Sequence, residues 1–76
     1  MTLQEAYNIL KQQKYPQKPT SCIEYKSCFV FHFGGNKQMD FSFLVDKISK
    51  KVKPFIPIQL SKEEYLNPVN KYNFKN

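Results

Sequence analysis

Phenylalanine recurs at every second position in Cys28-Phe29-Val30-Phe31-His32-Phe33 and again in Met39-Asp40-Phe41-Ser42-Phe43-Leu44-Val45. A period of two is that of a β-strand, whose successive side chains point to opposite faces of a sheet. Phe29, Phe31 and Phe33 therefore share one face of the first segment, and Phe41 and Phe43 one face of the second. Gly34-Gly35-Asn36-Lys37-Gln38 lies between them, rich in residues that tolerate positive φ, so the two segments read as an antiparallel hairpin. Rings crowded on one side of a hairpin must be covered. In a chain of 76 residues little is left over for any other purpose.

The N-terminal segment supplies the cover. Thr2-Leu3-Gln4-Glu5 has the form of a capping box, in which the threonine hydroxyl accepts from the Glu5 amide and Glu5 reaches back to the Thr2 amide. Leu3, Ala6, Tyr7 and Leu10 then recur at three- and four-residue steps, and Pro16 and Pro19 stop the pattern, which predicts a helix over residues 3–14. An isolated helix of this length is unstable. Its apolar stripe needs the phenylalanine face.

The other elements follow in order. Thr20 to Tyr25 alternates as a strand and turns tightly near Lys26-Ser27 into the central hairpin. After Asp46, whose side chain can accept from amides two residues on, Lys47 to Lys51 forms a charged turn. Val52 to Ile58 reads as a last strand, confined to a sheet edge or an irregular crossing because Pro54 and Pro57 each lack a ladder donor. Ser61-Lys62-Glu63-Glu64 is a second capping-box pattern, and Pro68 limits that helix to residues 62–66. The expected fold is α+β: an N-terminal helix on a three- to four-stranded antiparallel meander, a short C-terminal helical turn, and one domain over residues 1–76. The tail, residues 70–76, is expected to be flexible, although Tyr72 and Phe74 give it the means to dock.

Composition narrows the function classes. No apolar run approaches the length of a membrane span, and Met-Thr-Leu-Gln-Glu-Ala has no signal-peptide pattern, so the cytoplasm is the expected compartment. The net charge is +6, but all twelve basic residues are lysine. Arginine is the usual choice for bidentate phosphate and guanine contacts, and its absence speaks against a nucleic-acid reader. Cys22 and Cys28 would stand opposite one another across a three-residue loop at 24–26, within reach of a disulfide, but two buried thiols are the expectation in the cytoplasm. With one histidine they make no metal site, and no cofactor motif is present. Gly34-Gly35 is a turn, since no helix N-terminus or GK[ST] follows.

No catalytic residues are expected. His32 projects from the face opposite the phenylalanines, and Cys28, about 13 Å away along the strand, is too distant for a dyad. Only a neighbouring strand could partner it, through Asp40 or Ser42. Glu5, Asp46, Glu63 and Glu64 are explained by caps and turns. The candidate partner-binding residues are instead the lysine cluster Lys47, Lys50, Lys51 and Lys53 and the second sheet face, Val30, His32, Ser42 and Leu44. Apolar Val30 and Leu44 there imply either a second layer, drawn from Tyr65, Leu66 and Tyr72, or an exposed patch for another protein.

The helix opening Met-Thr-Leu-Gln-Glu-Ala, followed by a hairpin and by Phe43-Leu44-Val45-Asp46-Lys47 leading to Lys51-Val52, resembles the immunity protein 35 family and, more loosely, PepSY-like domains. The turn carries Ser49-Lys50 where that family's hairpin has Thr-Gly. The resemblance implies a small bacterial, prophage or phage protein that binds and blocks another protein, as an immunity protein or an inhibitor of a defence enzyme. Two other classes remain open. One is a nucleic-acid-associated accessory protein using Lys47 to Lys53. The other is a homo-oligomeric phage structural or assembly component.

Overall fold

A computed structural model describes residues 1–13, 18–34 and 41–74. The fold is α+β. Helix α1 (Leu3–Lys11) is followed by strands β1 (Ser21–Glu24), β2 (Cys28–Phe33), β3 (Phe41–Asp46) and β4 (Val52–Pro54). A 3-10 turn (Pro57–Gln59), helix α2 (Lys62–Leu66) and strand β5 (Asn70–Asn73) complete it. All pairings are antiparallel, in the order β4-β3-β2-β1-β5.

The first four strands form the expected meander. In the central hairpin Phe31 lies opposite Phe43 and Phe33 opposite Phe41, and the rings of Phe33 and Phe43 meet edge to face at 5.9 Å. The capping box of α1 forms in full: Glu5 N donates to Thr2 Oγ1 and Thr2 N donates to Glu5 Oε1, each at 3.1 Å. Helix α1 ends at Lys11, earlier than its pattern suggested, and residue 14 lies outside the described residues. Its Ala6 and Leu10 are buried against Phe29, Phe31, Phe33 and Val45. Tyr7 sits with its ring 6.2 Å from both Phe31 and Phe74, tilted against each.

The tail is where the architecture departs from expectation. Residues 70–73 pair with β1 as a fifth strand, Tyr72 opposite Cys22 and Asn70 opposite Glu24. Phe74 follows, stacked on Phe31 at 6.4 Å, its amide donating to Thr20 O. The two aromatics decide the outcome: Tyr72 and Phe74 enter the same cluster as Tyr7 and Phe31, so leaving the tail in water would expose both rings. Residues 75 and 76 lie outside the described residues.

Strand β5 also explains the second layer. Strand β4 is at one edge of the sheet and β5 at the other, so the chain between them, residues 55–69, must cross a whole face. It crosses the face opposite α1. We call this segment the strap. Strand β4 stops at Pro54, shorter than the predicted 52–58, and Phe55 turns in to donate its amide to Ser42 O at 2.9 Å. Phe55 and Leu60 then pack with Ile23 on Tyr25, Cys28, Val30 and Leu44. The result is a sheet covered on both sides, with β2 buried along nearly its whole length.

Candidate protein-binding surface

Three chain reversals gather at one end of the sheet. They are the tight turn after β1 (Tyr25 N to Cys28 O, 2.7 Å), the lysine turn after β3, and the entry from α2 into β5. Lys47 N donates to Ser27 O at 3.0 Å, and Val69 N donates to Glu24 O at 2.7 Å, which ties all three together.

Two carboxylates fix this end. Glu24 accepts from Lys47 Nζ at 2.7 Å on one oxygen, and from Asn70 Nδ2 at 3.2 Å and Tyr72 OH at 3.3 Å on the other. Burial works to raise the Glu24 pKa, but the hydrogen bonds from Lys47, Asn70 and Tyr72 and the Lys47 charge outweigh it, and the net direction is downward. Glu64 Oε2 accepts from the Ser27 amide at 2.8 Å and the Ser27 hydroxyl at 2.7 Å, pinning α2 to the β1–β2 turn. The stacked rings of Tyr25 and Tyr65, 6.1 Å apart, reinforce that pin. Only half of the second capping box therefore exists. Ser61 Oγ accepts from Glu64 N at 3.1 Å, while the Glu64 carboxylate is committed to Ser27.

The lysine turn is built by Asp46, whose Oδ1 accepts from Ile48 N at 2.8 Å and Ser49 N at 2.9 Å. Those two amide bonds are the main cause of a lowered Asp46 pKa. Lys50 closes the turn in the left-handed region at φ 60, a conformation that favours glycine. This geometry holds Ile48 outward, 89% exposed.

The predicted partner-binding residues separate into three groups. Val30 and Leu44 are 0% and 5% exposed beneath the strap, so neither can meet a partner while the strap is in place. The exposed-patch alternative for that face is corrected: a second layer covers it. The cover is Phe55 and Leu60, with Tyr65 against Tyr25, rather than Leu66 and Tyr72. Leu66 is 62% exposed and Tyr72 belongs to the α1 side. His32 and Ser42 are cross-strand neighbours, His32 Nδ1 and Ser42 Oγ lying 2.7 Å apart on a partly buried face. Asp40 lies outside the described residues. Among the lysines, Lys47 is drawn inward by Glu24 and lies 5.1 Å from the Phe29 ring centroid, whereas Lys50, Lys51 and Lys53 remain exposed.

Sequence reasoning missed Ile48, Leu66, Val69 and Lys26. All four lie in or beside the chain reversals of this end, the three apolar ones being more than half exposed. The available signal was an isoleucine inside a lysine turn, with no strand partner to bury it.

The thiols are placed for packing. Cys22 faces Phe31 on the α1 side and Cys28 faces Asp46 on the strap side, so they are not opposite one another as the longer loop would have had them. Both are free and buried. Burial pushes the Cys28 thiol up to about 11 and the Cys22 thiol up to about 12, leaving little thiolate at neutral pH. Among the described residues no group of His, Cys, Asp and Glu could hold a metal ion, and no helix is long and apolar enough to cross a membrane.

Fold and surface together define a small α+β protein with an apolar and lysine-bearing end. No protein-family model matches the chain, and no curated protein or solved structure does.

Proposed function

We propose that this is a non-enzymatic binding module of bacterial, prophage or phage origin, acting in the cytoplasm of a bacterial cell by docking on another protein and blocking it. The observation that carries the reading is Ile48. It is 89% exposed on a turn that Asp46 makes rigid, at the same end of the sheet as exposed Leu66 and Val69. An aliphatic side chain held in water by a hydrogen-bonded turn is an anchor already ordered before binding. The likeness to immunity protein 35 points the same way.

Affinity capture from the native host with the wild-type chain and with Ile48→Asp tests it. The expected result is one stoichiometric protein complex, lost in the variant. Recovery of no complex, or of DNA in its place, overturns the reading. So does a single-sized homo-oligomer by light scattering that excludes other proteins.

A further inference from the structure

We infer that the partner surface is acidic and carries an apolar recess that receives Ile48. This rests on the protein-binding reading and adds the chemistry of the partner. The argument lies in how the chain disposes of its own charges. Three carboxylates at this end are turned to internal use, Glu24 by Lys47, Asn70 and Tyr72, Glu64 by Ser27, and Asp46 by the turn amides, while Glu63 beside them on α2 is exposed. Of the lysines, Lys47 is used in the same way, by Glu24. Lys26, Lys50 and Lys51 stand exposed around the same end, and in the whole chain twelve lysines face six carboxylates.

Exposed lysines at the same end as exposed aliphatic side chains are complementary to an acidic surface that carries an apolar recess. A second copy would bring the same lysines into contact, and like charges oppose that dimer. A nucleic acid would find an aliphatic anchor where single-strand binders offer stacking rings, and no arginine.

The test compares three probes of matched charge by nuclear magnetic resonance titration: an amphipathic peptide of Glu and Leu, polyglutamate, and a short DNA duplex. The expected result is saturable binding of the amphipathic peptide, with shifts centred on residues 46–51 and 66–69, about tenfold tighter than polyglutamate. Ile48→Asp should weaken it about tenfold, and Lys50→Glu with Lys51→Glu should weaken it by a similar factor, mainly through the association rate at low salt. Each substituted side chain is exposed, so folding is not at stake. Equal binding of polyglutamate, tighter binding of the duplex, or no saturation by any probe overturns the inference. A native complex that survives the double lysine reversal overturns it too while leaving the protein-binding reading intact, whereas the absence of any native complex removes the reading itself.

Discussion

The two faces of the sheet are covered by different means. On one, a capped helix lays Ala6 and Leu10 on Phe29, Phe31 and Phe33, and Tyr7 and Phe74 complete a cluster of rings. On the other, the strap makes one helical turn and one 3-10 turn, leaves Ile56 and Ile58 55% and 86% exposed, and is held by few pins. These pins are the Phe55 amide on Ser42, the Glu64 carboxylate on Ser27, Tyr65 on Tyr25, and the Val69 amide on Glu24 O. The difference teaches how a small domain divides its labour. Periodic burial supplies stability on the helix side, and point contacts supply placement on the strap side.

The largest expected effect tests that division directly. Phe31 is fully buried at the centre of the helix-side cluster. Phe31→Ala should cost about 3–5 kcal/mol, enough to unfold much of the population of a domain this small. Phe55→Ala, in the half-buried strap, should cost about 1–2 kcal/mol. Urea denaturation of both variants checks the ratio, and equal losses would erase the distinction between the faces.

Each face also has a carboxylate that fastens the C-terminal third of the chain, and these are expected to differ. Glu24→Ala removes the acceptor shared by Lys47, Asn70 and Tyr72 on the helix side, for about 2 kcal/mol. Because the folded pKa of Glu24 lies below its ordinary value of 4.5, the stability it supplies is complete above that value. It is lost as the pH falls through the lower, folded value. Asp46 contributes with the same sign. Thermal melts across the carboxylate range should show the acid-side loss of stability shrinking in Glu24→Ala. Glu64→Ala should cost less, about 1–2 kcal/mol, and should act locally. Amides of residues 55–69 would exchange faster while those of β2 keep the protection set by global unfolding. Uniform loss of protection would mean that the strap and the sheet open as one unit.

How far the fold was legible follows the same boundary. The period-two phenylalanines and the period-three-and-four stripe of α1 are face-wide patterns, and they placed the hairpin, the helix and their contact. The capping box at Thr2 was readable because both of its halves are local. The Ser61 box was half misread because its carboxylate has a competing partner, Ser27, that is distant in sequence and arrives only when the strap crosses the sheet. Strand β5 was missed for a related reason. Asn70-Lys71-Tyr72-Asn73 has almost no apolar alternation, and its pairing depends on β1 offering an edge and on Phe74 finding Phe31. At the candidate surface, lysines show in a sequence, but whether they stand exposed does not. Lys47 reads like Lys50 and Lys51 until Glu24 is placed beside it.

The smallest expected effect is at Lys50, in the turn that leads into the edge strand from which the strap departs. Its φ of 60 costs a residue with a Cβ roughly 1–2 kcal/mol, whereas glycine adopts it without that cost. Glycine's greater freedom in the unfolded chain cancels part of the gain. Lys50→Gly should therefore stabilise by about 0.5 kcal/mol, read as a small rise in the urea midpoint at unchanged slope. Because the gain belongs to the β3–β4 turn and not to the strap, it should raise the protection of β2 and β3 amides while leaving local opening of residues 55–69 where it was. A rise confined to the strap would show that the two covers are coupled through β4, and that the strap's hold is set by its point of departure rather than by its pins.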